Sequence, residues 1–269
     1  MIKTRLLFVL ALGLLISCTR NAITGRSQFK LLPESELQSM AGQQYQQFLT
    51  QNKVVAQAGS KDAEMVRRVG ERISRAVEQY YAQKGLSDAL KGYKWEYNLV
   101  DSKEVNAWCM PGGKIVVYTG LLPITQNEAA LAVVMGHEVT HAIFQHGNER
   151  MSQQLGAEVV GTGLQVALAN KPAQTQNAFL TAFGVGSQVG VLLPFSRKHE
   201  LEADHWGLIW AAMAGYNPQE AIPLWERMAK AGGQKPPEFL STHPDDGHRI
   251  EQLKKIMPEA LQYYKPMGK

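Results

Sequence analysis

The chain has 269 residues, 45% of them apolar, with 28 lysines and arginines against 24 aspartates and glutamates. That apolar share supplies a real core, and the length allows one large domain or two small ones. The net charge is +4, and it falls to about +2 (26 basic against 24 acidic residues) if residues 1–17 are removed with Lys3 and Arg5; so even a balance argues against a nucleic-acid partner.

Lys3 and Arg5 precede an apolar stretch from Leu6 to Ile16. This stretch is short for a bilayer span, which needs about 20 residues, and right for the apolar region of a signal peptide. It ends in Leu15-Ile16-Ser17-Cys18, which looks like a lipobox. The expectation is a signal peptide over 1–17, diacylation of Cys18, and a lipid-anchored tether over 18–32. Thr19, not an aspartate, follows the cysteine. In this it resembles lipoproteins sorted to the outer membrane of Gram-negative bacteria, facing the periplasm. Several acyl chains give stable attachment at about 0.8 kcal/mol per buried CH₂. With Cys18 acylated, Cys109 is alone and no intramolecular disulfide forms.

Apolar residues at helical spacing predict helices over 34–50 (Leu37, Met40, Ala41, Tyr45, Phe48) and 62–83 (Val66, Val69, Ile73, Ala76, Val77, Tyr80). Trp95, Tyr97 and Leu99 alternate with polar residues and predict a strand. Residues 106–110 and 114–118 flank Pro111-Gly112-Gly113, a hairpin turn.

Next comes His137-Glu138-Val139-Thr140-His141, an H-E-x-x-H motif. Thr125 with Glu128 reads as a capping box opening its helix, and an Ala/Val/Leu run follows. Four helical residues turn about 400°, so His137 and His141 share a face and can close on one Zn²⁺. Glu138 lies beside the metal, placed to act as a general base on water. Gly136 leaves room for close approach of another element.

Residues 156–193 are rich in Gly, Ala, Val and Leu, but Glu158, Gln165, Lys171 and several glutamines interrupt them. No run reaches about 18 apolar residues, so they read as buried helices and a flap over the cleft, not membrane spans. A second helix opens in Ser196-Arg197-Lys198-His199-Glu200-Leu201-Glu202-Ala203-Asp204 and ends at Gly215. Glu200 and Asp204 are one turn apart, with Glu202 nearly opposite. Glu200 can then supply the third metal ligand while Asp204 accepts the outer N–H of a ligand histidine. Geometry alone leaves Glu202 and His199 open as the ligand. Further helices are expected over 218–231, capped by Asn217, and over 246–257. Beyond that open alternative for His199, His146, His199, His205 and His248 carry no assigned role.

H-E-x-x-H followed by S-R-x-x-E-x-x-A-D resembles metallopeptidase family forty-eight, the gluzincins that include HtpX-like, Oma-like and CaaX prenyl endopeptidases. Asn106 to Leu121, His141 to Gly147, and Ser241-Thr242-His243-Pro244 with Arg249-Ile250 resemble further segments of that family, in order. The resemblance implies an α+β, mostly helical zinc-peptidase fold, with a small sheet whose edge strand flanks the zinc helix, over 33–269. It implies one Zn²⁺ per chain held by His137, His141 and Glu200, rather than Glu202. The late motif puts His243 and Arg249 near the metal as candidates for oxyanion stabilisation, and His243 can also fill the open metal position. The edge strand implies peptide binding through Asn106, Ala107, Gly113 and Lys114. Cys109 reads as a packed side chain, with a minor alternative as an inhibitory thiolate. The expected function is an endopeptidase acting on unfolded or damaged cell-envelope proteins. The alternative is a zinc-binding, chaperone-like or assembly-factor lipoprotein with little resting proteolysis.

Overall fold

The computed structural model describes residues 18–162, 196–231, 238–243 and 247–266. Residues 1–17, expected as a signal peptide, and most of the Gly/Ala-rich stretch, with its expected flap, lie outside the described residues, as does the side chain of Cys18.

Residues 18–32, expected as a tether, carry a hairpin. Strand β1 (Cys18–Arg20) pairs antiparallel with β2 (Ser27–Phe29). Asn21 Oδ1 accepts from the amides of Ile23 and Thr24, and Gly25 takes a positive φ of 67°, which closes the turn. Helices α1 (Glu34–Gln51) and α2 (Lys61–Gln83) follow, each burying the stripe that the sequence spacing marks. Ser60 caps α2 by accepting from Ala63 N.

The main sheet has the order β3-β5-β4, from β3 (Glu96–Val100), β4 (Ala107–Met110) and β5 (Lys114–Tyr118). The β4–β5 hairpin is antiparallel, whereas β3 runs parallel to β5 on its other side. One face, with Leu99, Ala107, Cys109, Ile115 and Val117, joins the main core. The other face buries Trp108, Met110 and Val116 against α1, with Trp108 edge-on to Phe48 at 5.0 Å.

Short α3 (Leu122–Thr125) precedes α4 (Glu128–Ile143), the H-E-x-x-H helix. The capping box is corrected here. Thr125 ends α3, its hydroxyl donating to Leu122 O, and Asn127 Oδ1 caps α4 by accepting from Ala130 N. Every residue of α4 from Ala130 to Ile143 is buried. It lies against β4, α2 and α6 (Arg197–Met213). Gln145 adopts a left-handed φ of 57°, which breaks the chain before α5 (His146–Thr162). Ser196 caps α6.

Asn217 caps a 3₁₀ turn (Pro218–Glu220) that leads into α7 (Ala221–Ala231). Then come α8 (Glu238–Thr242) and α9 (Arg249–Tyr263). The last helix starts at Arg249, not 246, and runs on past Met257 through Pro258. Burial of Met257 and Ala260 outweighs the one amide that the proline lacks.

Candidate metal centre

Two glycines set the crossing of α4 and α6. A Cβ on Gly136 would lie 2.5 Å from Gly207 O, and one on Gly207 would lie 2.6 Å from His137 N. The backbones therefore touch, and the start of α6 brings Glu200 and Asp204 onto the His137 face of α4.

His137 Nε2 lies 3.0 Å from His141 Nε2 and 3.2 Å from His243 Nδ1. Glu200 Oε1 is 3.0 Å from His243 Nδ1 and 3.4 Å from His141 Nε2, and Glu200 Oε2 is 3.5 Å from His137 Nε2. The ligand atoms of His137, His141, Glu200 and His243 all fall within 4.8 Å of one another, and all four residues are buried. Four ligands about 2.0–2.1 Å from a tetrahedral ion sit about 3.3 Å apart, which matches this spacing.

The protonation pattern fits a metal as well. Asp204 Oδ1 accepts from His137 Nδ1 at 2.9 Å, so the Nε2 lone pair of His137 points inward. His141 Nδ1 donates to His146 Nδ1 at 3.0 Å, so its Nε2 lone pair points at that of His137. Two lone pairs facing each other repel unless a cation lies between them. Burial keeps both imidazoles well below their usual pKa, and Glu200 opposes this only partly; they are neutral, as metal ligands must be. For Glu200, burial acts upward, but His243, His141 and His137 outweigh it and hold the carboxyl well below its usual range.

Glu138 follows His137 on α4. Its Oε1 is buried without a hydrogen-bond partner and lies 3.5 Å from His243 Nε2. Burial first, and the Glu200 charge second, push its carboxyl well above the usual range; Arg249 and Arg150 oppose that rise. Arg150 on α5 is itself buried and lowered to about 9 by burial.

His243 is held by α8. Its amide donates to Phe239 O at 2.9 Å and its ring stacks on Phe239 at 4.5 Å, while Phe239 N donates to Val105 O just before β4. Arg249 lies on the outer side of His137. Its Nη2 donates to Asp204 Oδ1 at 2.6 Å, Nη1 reaches His243 O at 3.4 Å, and the guanidinium stacks on Trp225 at 3.5 Å. These contacts fix Asp204 and the His243 loop, and Arg249 Nη2 also lies 3.3 Å from Glu200 Oε2.

The hairpin residues divide. Asn106 and Ala107 are buried at the start of β4, the edge of the sheet, with Tyr118 N donating to Asn106 O. Gly113 and Lys114 do not belong with them. They border β5, whose two sides are already paired, and Gly113 O accepts from Glu96 N. Lys114 Nζ is tied to Lys94 O and Glu96 Oε1, each at 2.6 Å. Cys109 packs in the core with its thiol pushed well up by burial, outside the ligand group.

Sequence reasoning missed a connected set beside the ligand group: His146, Glu149 and His199, which are buried, with the half-buried Arg26 and Glu202. Glu202 is not in the ligand group; it accepts from His146 Nε2 at 3.0 Å. The one local signal was the opposite helical phase of Glu202 from Glu200.

A buried group of His137, His141, Glu200 and His243 that could hold a metal ion, with a buried glutamate next to His137 on the same helix, is consistent with a zinc metallopeptidase. The chain belongs to peptidase family M48, whose sequence profile matches residues 61–257. It is 38% identical over 178 residues to the mitochondrial metalloendopeptidase OMA1 of Arabidopsis thaliana, covering 65% of this chain and 35% of that protein. It is 37% identical over 190 residues to the mitochondrial metalloendopeptidase OMA1 of Schizosaccharomyces pombe, covering 70% and 53%. With the beta-barrel assembly-enhancing protease of Escherichia coli it shares 31% over 180 residues, covering 62% and 37%. The matched region is thus about half or less of each of these relatives.

Proposed function

We propose that this chain is a lipid-anchored endopeptidase that cleaves unfolded or damaged proteins of the cell envelope. The observation that carries the reading is Glu138, buried beside the ligand set with an unpartnered carboxyl oxygen. A purely structural zinc site has no use for that group. In this reading an extended substrate adds to the edge of β4 at Asn106 and Ala107 through main-chain hydrogen bonds, which makes recognition largely indifferent to sequence. His137, His141 and Glu200 hold the zinc. The ion, when bound, polarises the scissile carbonyl and makes water a nucleophile near neutral pH. Glu138 takes the proton of the attacking water and passes it to the leaving amine. His243 Nε2, near Glu138, faces the oxyanion once its ring swings off the ligand group. Asp204 and Arg249 keep His137 in its inward-facing tautomer.

Anchoring rests on the lipobox at Cys18, and among the described residues no helix is long and apolar enough to cross a membrane. The name of the Escherichia coli relative, a beta-barrel assembly-enhancing protease, supports an envelope setting; the mitochondrial relatives leave it a proposal. Unfolded casein should be cut by the purified protein, not after chelation, and at least about 10²-fold more slowly by Glu138→Gln with zinc retained. Native-rate cleavage by that variant sinks the reading.

One observation favours a second reading, an assembly factor with little resting proteolysis. His243 Nδ1 stands among the ligand atoms, giving a set of four protein ligands. Such a site is closed. Slow native cleavage that His243→Ala accelerates would favour this reading.

A further inference from the structure

The two ligand histidines of α4 are both supported at their outer nitrogens, but by different devices. His137 rests on Asp204, as the sequence suggests. His141 rests on His146, the first residue of α5, which the left-handed turn at Gln145 brings back beneath it. His146 Nε2 donates to Glu202 Oε2 at 3.0 Å, and its ring is stacked on His199 at 4.4 Å and 14°. Glu202 in turn accepts from Arg26 Nε at 2.8 and 2.9 Å. Arg26 Nη1 donates to Glu149 at 2.6 Å, so one guanidinium clamps α5 to α6. Arg26 immediately precedes β2 in the N-terminal hairpin. The residues after it lie along the α4–α5 junction: Gln28 donates to Phe144 O and Glu149 Oε1, Lys30 to Gln145 Oε1, and Leu31 N to Ser152 Oγ.

We infer that His146 is a positioning residue for the metal centre, fixing the tautomer and ring plane of His141, and that Arg26 of the N-terminal hairpin holds it there through Glu202. The inference rests on the reading of His141 as a zinc ligand. The direction of every bond in the series follows from chemistry. Arg26 can only donate, so Glu202 accepts as a carboxylate; Glu202 then takes the Nε2 proton of His146; His146 Nδ1 is left as an acceptor for His141 Nδ1–H; and His141 Nε2 is left for metal. Loss of the His146 acceptor frees the outer side of His141, and a break further out, at Glu202 or Arg26, loosens the His146 ring. The hairpin next to the expected lipid attachment point is in this way a working part of the metal site.

The two neutral amides separate positioning from bulk. In His146→Asn the amide oxygen falls where Nδ1 was and can still accept from His141. In His146→Gln the amide reaches Glu202, where Nε2 was, and leaves His141 without an acceptor. Zinc affinity of the full chain is read by competition with a chromophoric chelator, and ligand geometry by the cobalt(II) absorption spectrum. His146→Gln should weaken zinc about 10- to 100-fold and alter the cobalt spectrum, whereas His146→Asn, which keeps the acceptor for His141 and loses only the link to Glu202, should weaken zinc no more than several-fold, as Arg26→Gln does. Arg26→Gln should weaken zinc several-fold alone and add nothing in the His146→Gln background, since a broken series has no further link to lose. Equal effects of Asn and Gln, whether both native or both weak, would overturn the role of His146. Additive losses with Arg26→Gln would overturn the connection to the hairpin. His141→Ala serves as control: if it bound zinc natively, the ligand reading itself would be wrong, and the amide pair would not be at issue.

Discussion

Gly136 and Gly207 touch backbone to backbone where α4 crosses α6, and the crossing fixes the distance between His137 and Glu200. A Cβ at position 207 would meet His137 N and Cα at 2.6 and 2.8 Å, both backbone atoms that cannot swing aside. Gly207→Ala should therefore force the helices apart, at a cost of about 1–3 kcal/mol for overpacking. Zinc affinity should fall with it, because His137 moves with its backbone. Thermal melting and chelator competition check this, and native values for both would show that the crossing does not set the site.

Glu200 and Glu202 stand two residues apart and face different chemistry. Glu200 joins the metal-ligand group; Glu202 meets His146 and Arg26. Glu200→Ala should abolish stoichiometric zinc. Glu202→Ala should keep one zinc per chain at saturating metal, with weaker affinity through the loss of His146's partner. Metal analysis after dialysis at defined free zinc distinguishes them, and the reverse pattern would move the third ligand to Glu202.

Much of this centre was legible because helical phase is a local property. The spacing of His137 and His141, the one-turn offset of Glu200 and Asp204, and the glycine before His137 all carry their geometry in the sequence. The strand order did not, since nothing local says that β3 pairs parallel with β5 and closes off Gly113 and Lys114. The cap of α4 was misread because Thr125 and Glu128 satisfy the pattern that Asn127 in fact fulfils. His146, Arg26 and Glu149 escaped for a deeper reason. They come together only after Gln145 takes a positive φ and the hairpin folds over α5, and neither event has a periodic signature.

Glu34 at the start of α1 offers a pH test outside the ligand group. Both its carboxyl oxygens are buried, and burial pushes its pKa up to about 7, with Gln38 and Lys30 opposing only in part. The folded value lies above the ordinary 4.5, so the folded chain binds this proton more tightly than the unfolded chain does. Stability is thus lost as pH rises from about 4.5 to about 7, by up to about 3 kcal/mol. Glu34→Gln mimics the neutral form and should gain on the native protein over that interval. Denaturant midpoints at pH 5 and pH 8 measure it; an unchanged difference between the two proteins would show that Glu34 ionises freely when folded.

The last prediction concerns the fourth ligand. His243 Nδ1 lies 3.0 Å from Glu200 Oε1 and 3.2 Å from His137 Nε2, while its Nε2 faces Glu138 at 3.5 Å. The ring is held there by Phe239, and Arg249 grips its carbonyl. One residue is therefore placed both to close the metal site and, once displaced, to serve the reaction beside Glu138. The resting population should contain His243-ligated metal, so the cobalt(II) spectrum should differ between the native protein and His243→Ala. Basal casein cleavage then reports which role dominates, rising if closure limits the rate and falling if transition-state stabilisation does. Phe239→Ala should shift the spectrum in the same sense as His243→Ala, though less, because it loosens the ring without removing it. Identical spectra of native protein and His243→Ala at every pH would exclude the closed state and leave His243 its part beside Glu138 alone.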